Sequence, residues 1–94
     1  MPTVKDMALT PDEFFRGAAL VMQGRAYRVE SQGVETGTAE RGISISIEPL
    51  PPRRLSGLLS LPRTQVTISF RGYGAEEEVL FLQRFDRVFQ RAGG

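Results

Sequence analysis

The chain has 94 residues, of which 40% are apolar and 24% charged, and its formal net charge is +1. This composition predicts a globular protein, and the length predicts a single domain over residues 1–94. Since the sequence contains neither Cys nor His, it excludes disulfides, thiolate chemistry and the commonest metal ligand, and the small net charge argues against a general attraction to nucleic acid or membrane.

The N-terminal segment gives few signals. Residues 1–9 show no regular pattern, and we expect them to fray or to form a short edge strand. A basic segment followed by an apolar one is lacking, so no signal peptide is predicted and a cytoplasmic address is expected. Arg outnumbers Lys eleven to one, which we interpret as the GC-rich coding bias of a bacterial gene.

The stretch "LTPDEFF" predicts the start of a helix over residues 11–23. Thr10 is suited to the N-cap and Pro11 to the first helical position, and Glu13 completes a capping box. Gly24 is expected to end the helix. Leu9 and Phe14 are placed to form a hydrophobic staple at its start. An apolar stripe runs along the helix: Phe14, Ala18 and Val21, with Phe15, Ala19 and Met22 beside them.

The middle of the chain has the period of strands. Residues 26–31 alternate, a turn is predicted at Gln32-Gly33, and residues 34–42 are expected to be a hairpin or loop. The clearest strands are "ISISIEPL" and "QVTISF", in which Ile43, Ile45, Ile47, Val66, Ile68 and Phe70 point inward. We expect Pro49, Pro51 and Pro52 to end strand pairing. Residues 53–61 fit a strand or a short helix, and the strand is favoured.

A second helix is predicted after the turn at residues 72–74. Three glutamates occupy its first turn and arginines its later turns, which is the order that the helix dipole favours. The predicted buried stripe consists of Val79, Leu82, Phe85 and Phe89, widened by Phe81 and Val88. Ile45, Ile68, Leu82 and Phe85 should be nearly fully buried and close together.

These elements predict an α+β fold. Clean alternation in the strands indicates that one face of the sheet is buried and the other wet, which is typical of antiparallel sheets. We expect a two-layer sandwich, with a mainly antiparallel sheet of three to four strands and an N-terminal and a C-terminal helix packed on one face.

Two sets of side chains are candidate binding residues. Arginines recur between residues 53 and 71 without any acid, and they form a candidate anion patch: Arg53, Arg54, Arg63 and Arg71. Hydroxyls alternate on the expected wet face of the sheet: Ser44, Ser46, Thr67 and Ser69. An RNA-binding sheet needs exposed aromatics, whereas here Tyr27 and Phe70 are in phase with the buried positions.

The chain ends in Gly93-Gly94, like ubiquitin-like modifiers and sulfur carriers. In those proteins the diglycine follows a strand, whereas here the preceding residues have helical period, so we expect the glycines to end a helix and treat a carrier function as a remote alternative. No serine has a plausible base partner in a chain without His.

The sequence therefore favours a non-catalytic interaction module. The expected partner is another protein or a second copy of the chain, and an anion- or nucleic-acid-binding module using the arginines of residues 53–71 is the alternative. We expect no cofactor, no metal and no membrane contact.

Overall fold

The computed structural model describes residues 2–92, which form a five-stranded antiparallel sheet and two helices. The elements are β1 (Thr3–Met7), α1 (Pro11–Val21), β2 (Tyr27–Glu30), β3 (Gly33–Gly37), β4 (Gly42–Arg54), β5 (Ser60–Arg71) and α2 (Ala75–Ala92). The strand order is β1-β5-β4-β3-β2. The α+β class and the antiparallel sheet are confirmed, and the strand count exceeds the predicted three to four because β1 and β3 both pair.

The start of α1 agrees with the sequence prediction in detail. Thr10 is the N-cap: its Oγ1 accepts a hydrogen bond from the Glu13 N–H at 3.2 Å, and Glu13 Oε1 accepts one from the Thr10 N–H at 2.9 Å. Hydrogen bonding of the Glu13 carboxylate to Thr10, above all to its backbone N–H, holds the pKa of that carboxyl below its usual range. Leu9 and Phe14 are both buried, as a staple requires. The helix ends at Val21, two residues earlier than predicted.

The core is one cluster of buried residues contributed by the central strands and both helices. Ile45, Ile68 and Phe85 are at most 2% exposed, as predicted. The remaining buried apolar residues share this cluster: Leu9, Phe14, Ala18, Val21, Met22, Val34, Ile43, Ile47, Val66, Phe81 and Phe89. Thr64 is also fully buried, and its hydroxyl donates to the Leu9 carbonyl at 2.7 Å. The hydrogen bond therefore removes the cost of burying that hydroxyl.

The buried stripe of α2 differs from the prediction. Its centre is Phe81, Phe85 and Phe89, which recur every four residues, whereas Leu82 is only partly buried and Val79 is half exposed. Aromatic rings bury the largest apolar area, so the helix turns these three toward the core. Val79 precedes Phe81 by two residues and therefore lies about 200° around the helix from it.

Pairing of β4 does not end at its prolines, so that prediction was wrong. Pro49 is paired with Thr64, Leu50 with Arg63 and, after a shift of register, Arg53 with Leu61. Alternate residues of an antiparallel strand direct their N–H groups to the same side. Ile47 donates its N–H to the Gln32 carbonyl, so the ring nitrogen of Pro49 faces that same side, beyond the end of β3. Its missing N–H therefore costs the β4–β5 ladder no hydrogen bond.

The remaining prolines coincide with the register shift. Pro51 and Pro52 lie between the pairs Leu50↔Arg63 and Arg53↔Leu61, opposite Pro62. Because none of the three carries an N–H, regular pairing is disfavoured there and a β-bulge takes its place. The hairpin closes with a tight turn in which the Leu59 N–H donates to the Ser56 carbonyl at 3.4 Å. Residues 53–61 are thus strand, turn and strand, which resolves the two alternatives.

The prediction that Gly93 and Gly94 end the second helix concerns residues outside the described range. Within residues 2–92, neither helix combines the length and the apolar character needed to cross a membrane.

Candidate functional site

Strands β4 and β5 extend beyond every other strand of the sheet. The last residue pair with β1 is Met7↔Thr64, and the last with β3 is Gly33↔Ser46. Residues 49–63, named the β-arm here, are consequently a two-stranded ribbon that no other described strand flanks. This extension is consistent with the elongated shape of the molecule, which measures 48 × 25 × 24 Å.

The tip of the β-arm exposes a cluster of leucines. Leu55 and Leu59 are 52% and 55% exposed, Leu58 is fully exposed, and Leu61 is 37% exposed. Burying one such side chain is worth on the order of 1–3 kcal/mol. Single exposed leucines are common on protein surfaces, but four within seven residues concentrate apolar surface at a protruding tip, and such a concentration is typical of an interaction site.

The four candidate arginines do not form one patch. Arg53 and Arg54 lie on the β-arm, exposed, and neither takes part in a salt bridge among residues 2–92. Arg71 is at the other end of β5, eleven residues (71 − 60) from the start of that strand. At about 3.3 Å per residue, this separation is roughly 36 Å. An anion bound at the arm could not also reach Arg71.

Arg63 is paired at the base of the β-arm. Its guanidinium donates to both carboxylate oxygens of Asp6, with the shortest N–O distance 2.5 Å. This contact lowers the pKa of Asp6 and raises the pKa of Arg63, and Arg53 adds a smaller electrostatic contribution at Asp6. The pair joins β1 to β5 where the arm leaves the sheet, so Arg63 anchors the arm rather than offering a free charge.

Arg71 is held by a polar network across three strands. It donates to the Ser44 hydroxyl at 2.5 Å, to the Thr38 carbonyl at 3.0 Å and to Glu35 at 3.3 Å, and Ser44 in turn donates to Glu35. The guanidinium lies against Gly42, where an added Cβ would be 2.4 Å from its Nη2. These contacts show that Arg71 stabilises the sheet. Glu35, which completes the network, was missed because its segment was expected to be a hairpin or loop.

The structure does bring the four hydroxyl residues together. Ser44 is paired with Ser69 and Ser46 with Thr67, so they form a block on neighbouring strands of one sheet face. Ser46 is exposed and the others partly so. The block borders a shallow depression whose lining is mainly polar, from Gln32, Ser46, Glu48, Gln65 and Thr67, with Ile47 and Pro49 beside them. The depression is open, and it lacks the apolar enclosure that is usual in small-molecule sites.

Neither a metal-ligand cluster nor an unpaired buried polar group marks a further site in the described part of the chain. Within residues 2–92, no three acidic side chains are placed to hold a metal ion, and no buried side-chain polar atom lacks a hydrogen-bond partner. The feature that most requires explanation is therefore the exposed leucine cluster.

In the sequence, those leucines indicated only a choice between strand and short helix. The signal that could have found the site is the set of prolines at positions 49, 51, 52 and 62, since prolines at both sides of a leucine-rich run indicate strands without outer neighbours. Comparisons with protein-family models, curated proteins and solved structures found no match. Function must consequently be inferred from the geometry of the β-arm and the sheet.

Proposed function

We propose that this chain is a non-catalytic protein-binding module that docks through its β-arm. The observation that carries the proposal is the exposure of Leu55, Leu58 and Leu59 at the tip of a ribbon without neighbouring strands. In the two-layer arrangement predicted from the sequence, both helices cover one face of the sheet. The arm then extends past them, and a partner is needed to bury its leucines.

The prolines indicate how the partner is bound. An exposed strand edge usually binds another strand through its free N–H and C=O groups. Along the outer edge of β4, Pro49 and Pro51 remove donors, and the bulge at Pro51 and Pro52 interrupts the regular spacing. The arm is therefore suited to binding through its side chains, with the leucines entering an apolar groove.

The arm is a closed hairpin that is held at its tip and at its base. Its turn is closed by bonds between Leu55, Ser56 and Leu59, and its base is joined to β1 by the Arg63–Asp6 pair. A preformed hairpin loses less conformational entropy on binding than a flexible loop of the same length. More of the free energy from burying the leucines is then available for affinity.

The proposal is tested by placing a photo-activated crosslinking residue at position 58 in the cell that expresses the protein. A discrete adduct is expected there. The control carries the same residue at Ser46, on the polar sheet face, and should give no adduct. Leu55→Asp introduced together with the probe should remove the adduct at position 58. Adducts from position 46 alone would refute the β-arm and assign binding to the sheet face.

Arg53 and Arg54 favour a second candidate function, the binding of nucleic acid or another polyanion. Because Arg63 and Arg71 are engaged, two of the four candidate arginines, Arg53 and Arg54, remain to contact phosphates. Binding to single-stranded nucleic acid should then weaken with salt at a slope of about −1.4 on a log–log plot, from about 0.7 per phosphate for two contacts. Arg53→Gln with Arg54→Gln should remove the binding, whereas Leu58→Asp should leave it. If the arm instead binds a protein, Leu58→Asp should weaken binding more than Arg53→Gln with Arg54→Gln.

A further inference from the structure

The outer edge of β2 is open. The strand order places β2 at one edge of the sheet, and among residues 2–92 it pairs only with β3. Natural edge strands are commonly protected by a proline or a bulge, and β2 has neither: its sequence is YRVE and its register with β3 is continuous. The edge is therefore able to accept a further strand.

One hydrogen bond fixes which residues of β2 direct their backbone groups to this edge. Ile47 of β4 donates its N–H to the Gln32 carbonyl, so the even-numbered residues of β3 face β4 and its odd-numbered residues face β2. The odd-numbered residues of β3 are paired with the even-numbered residues of β2. Tyr27 and Val29 consequently direct their N–H and C=O groups outward.

The side chains of β2 leave apolar surface beside this edge. Val29 is 65% exposed, although Val34, its direct partner on β3, is 1% exposed on the same face. The buried core therefore ends between β3 and β2. On the opposite face of the strand, Arg28 and Glu30 are both exposed. The open edge thus has an apolar side and a side that carries one charge of each sign.

These charges are self-complementary in one antiparallel register. When Val29 lies opposite Val29 of a second copy, Arg28 lies opposite the second copy's Glu30, and Glu30 opposite its Arg28. The neighbouring registers that keep the same hydrogen bonding place Arg28 opposite Arg28 or Glu30 opposite Glu30. Opposite charges directly across two strands stabilise the pair, and like charges there destabilise it.

Distances within such a ladder favour the opposite charges. The Val29 pair is hydrogen-bonded, so the Arg28–Glu30 pairs beside it are of the non-hydrogen-bonded kind, with about 4.5 Å between Cα atoms. Like charges are then diagonal neighbours, about 7–8 Å apart. The signs of the surrounding groups also alternate: Arg28 Nη2 lies 3.8 Å from Glu35, which Arg71 contacts at 3.3 Å. Glu30 takes part in no salt bridge among residues 2–92.

We infer that β2 pairs antiparallel with β2 of a second copy of this chain, with Val29 on the twofold axis. An antiparallel pair of identical strands is related by such an axis, so the contact closes as a dimer. It joins two five-stranded sheets into one continuous sheet. The pairing uses no residue of the β-arm and is therefore independent of the proposed docking function.

The other edge strand, β1, does not offer an equivalent register. By the same alternation, Val4 and Asp6 direct their backbone groups outward. Placing either Lys5 or Asp6 opposite itself brings like charges together, and placing Val4 opposite itself forms no charge pair. Lys5 and Asp6 are also engaged within the chain, at 2.9 Å from Asp86 and 2.5 Å from Arg63. Strand β2 is consequently the edge that favours self-pairing.

Charge reversal with mixing tests the register. Arg28→Glu and Glu30→Arg each place like charges opposite one another, whereas an equimolar mixture of the two variants restores both opposite-charge pairs. Mass is measured by analytical ultracentrifugation up to about 1 mM protein, because a contact this small gives a weak dimer. Each single variant should dissociate at least about tenfold more readily than the wild type, and the mixture should recover.

The matched control for charge is Glu48→Arg, a reversal on the same sheet face but on β4, which should dimerise like the wild type. Backbone pairing is tested by Val29→Pro, which removes the central outward N–H. Its control is Val4→Pro, which removes an outward N–H of β1. Neither N–H is bonded in the sheet, so both variants should fold, as melting will verify, and only Val29→Pro should lose the dimer.

The outcomes separate this inference from the proposed function. Leu58→Asp should dimerise with the wild-type dissociation constant, and its failure to do so would place the contact on the β-arm and overturn the β2 pairing. A wild type still monomeric at about 1 mM would overturn it too, as would a dimer that neither reversal weakens, or a mixture that does not recover. In each of these cases a crosslink from position 58 to a different protein would leave the docking function standing.

Discussion

Gly17 in α1 lies against the ring of Phe89, and a side chain added at this position would disturb that packing. A Cβ added to Gly17 would lie 2.3 Å from Cε1 and 2.6 Å from Cζ of Phe89. Carbon atoms prefer separations of about 3.5–4.0 Å, so the ring would have to move by more than about 1 Å. Phe89 is confined: its ring stacks on Phe14 at 5.9 Å and lies 4.5 Å from the ring of Phe85. The contact therefore needs a residue without a side chain.

Gly17→Ala sets two effects against each other. Replacing glycine by alanine inside a helix stabilises it by about 1 kcal/mol, and overpacking a core costs about 1–3 kcal/mol. Because the required displacement is large and the ring is held on two sides, we take the upper part of that range, about 2–3 kcal/mol. The net expectation is a loss of about 1–2 kcal/mol, which would lower the melting temperature by roughly 4–16 °C for a domain of this size.

Urea and thermal unfolding monitored by circular dichroism provide the assay. The matched control is Ala19→Gly on the exposed side of the same helix, which should cost about 1 kcal/mol through helix propensity alone. In a Phe89→Leu background the ring is absent, and Gly17→Ala should become neutral or stabilising. If Gly17→Ala raises the melting temperature of the otherwise wild-type protein, the ring is free to move and the packing argument is refuted.

Three further changes test the core, the cap and the pH dependence. Phe85→Ala should cost about 3–5 kcal/mol in urea unfolding, and a nearly unchanged midpoint would show that α2 does not stabilise the sheet. Thr10→Ala should cost on the order of 1 kcal/mol without altering binding through the β-arm, and an equal loss for Thr10→Ser would contradict the capping role. Glu13 has a lowered pKa in the folded state, so its contribution is complete above its unfolded pKa of about 4.3 and is lost as the pH falls through the lower folded value. Thermal melts should therefore show a smaller loss of stability between neutral and acidic pH for Glu13→Gln than for the wild type. Equal losses in the two proteins would refute this. Arg63 also lowers the pKa of Asp6, so protonation of Asp6 at acidic pH should cause a further loss of stability.

The sequence by itself determined the local features. The start of α1 was predicted to the residue because Thr10, Pro11 and Glu13 act on backbone groups within one turn. The inward positions of β4 and β5 followed from alternation, since successive side chains of a strand point to opposite faces. The hydroxyl block was predicted for the same reason, and its pairing then required only that the two strands be neighbours.

Tertiary structure decided which elements have neighbours, and the candidate site depends on that. Whether Pro49 breaks a ladder depends on where β3 ends, and whether Leu58 is buried depends on which elements reach the arm. Neither is encoded within a few residues of those positions. The charge of Arg63 is neutralised by Asp6, which lies 57 residues away in the chain. Val79 and Phe81 are both apolar, and only the aromatic packing against the sheet decided which of them faces the core.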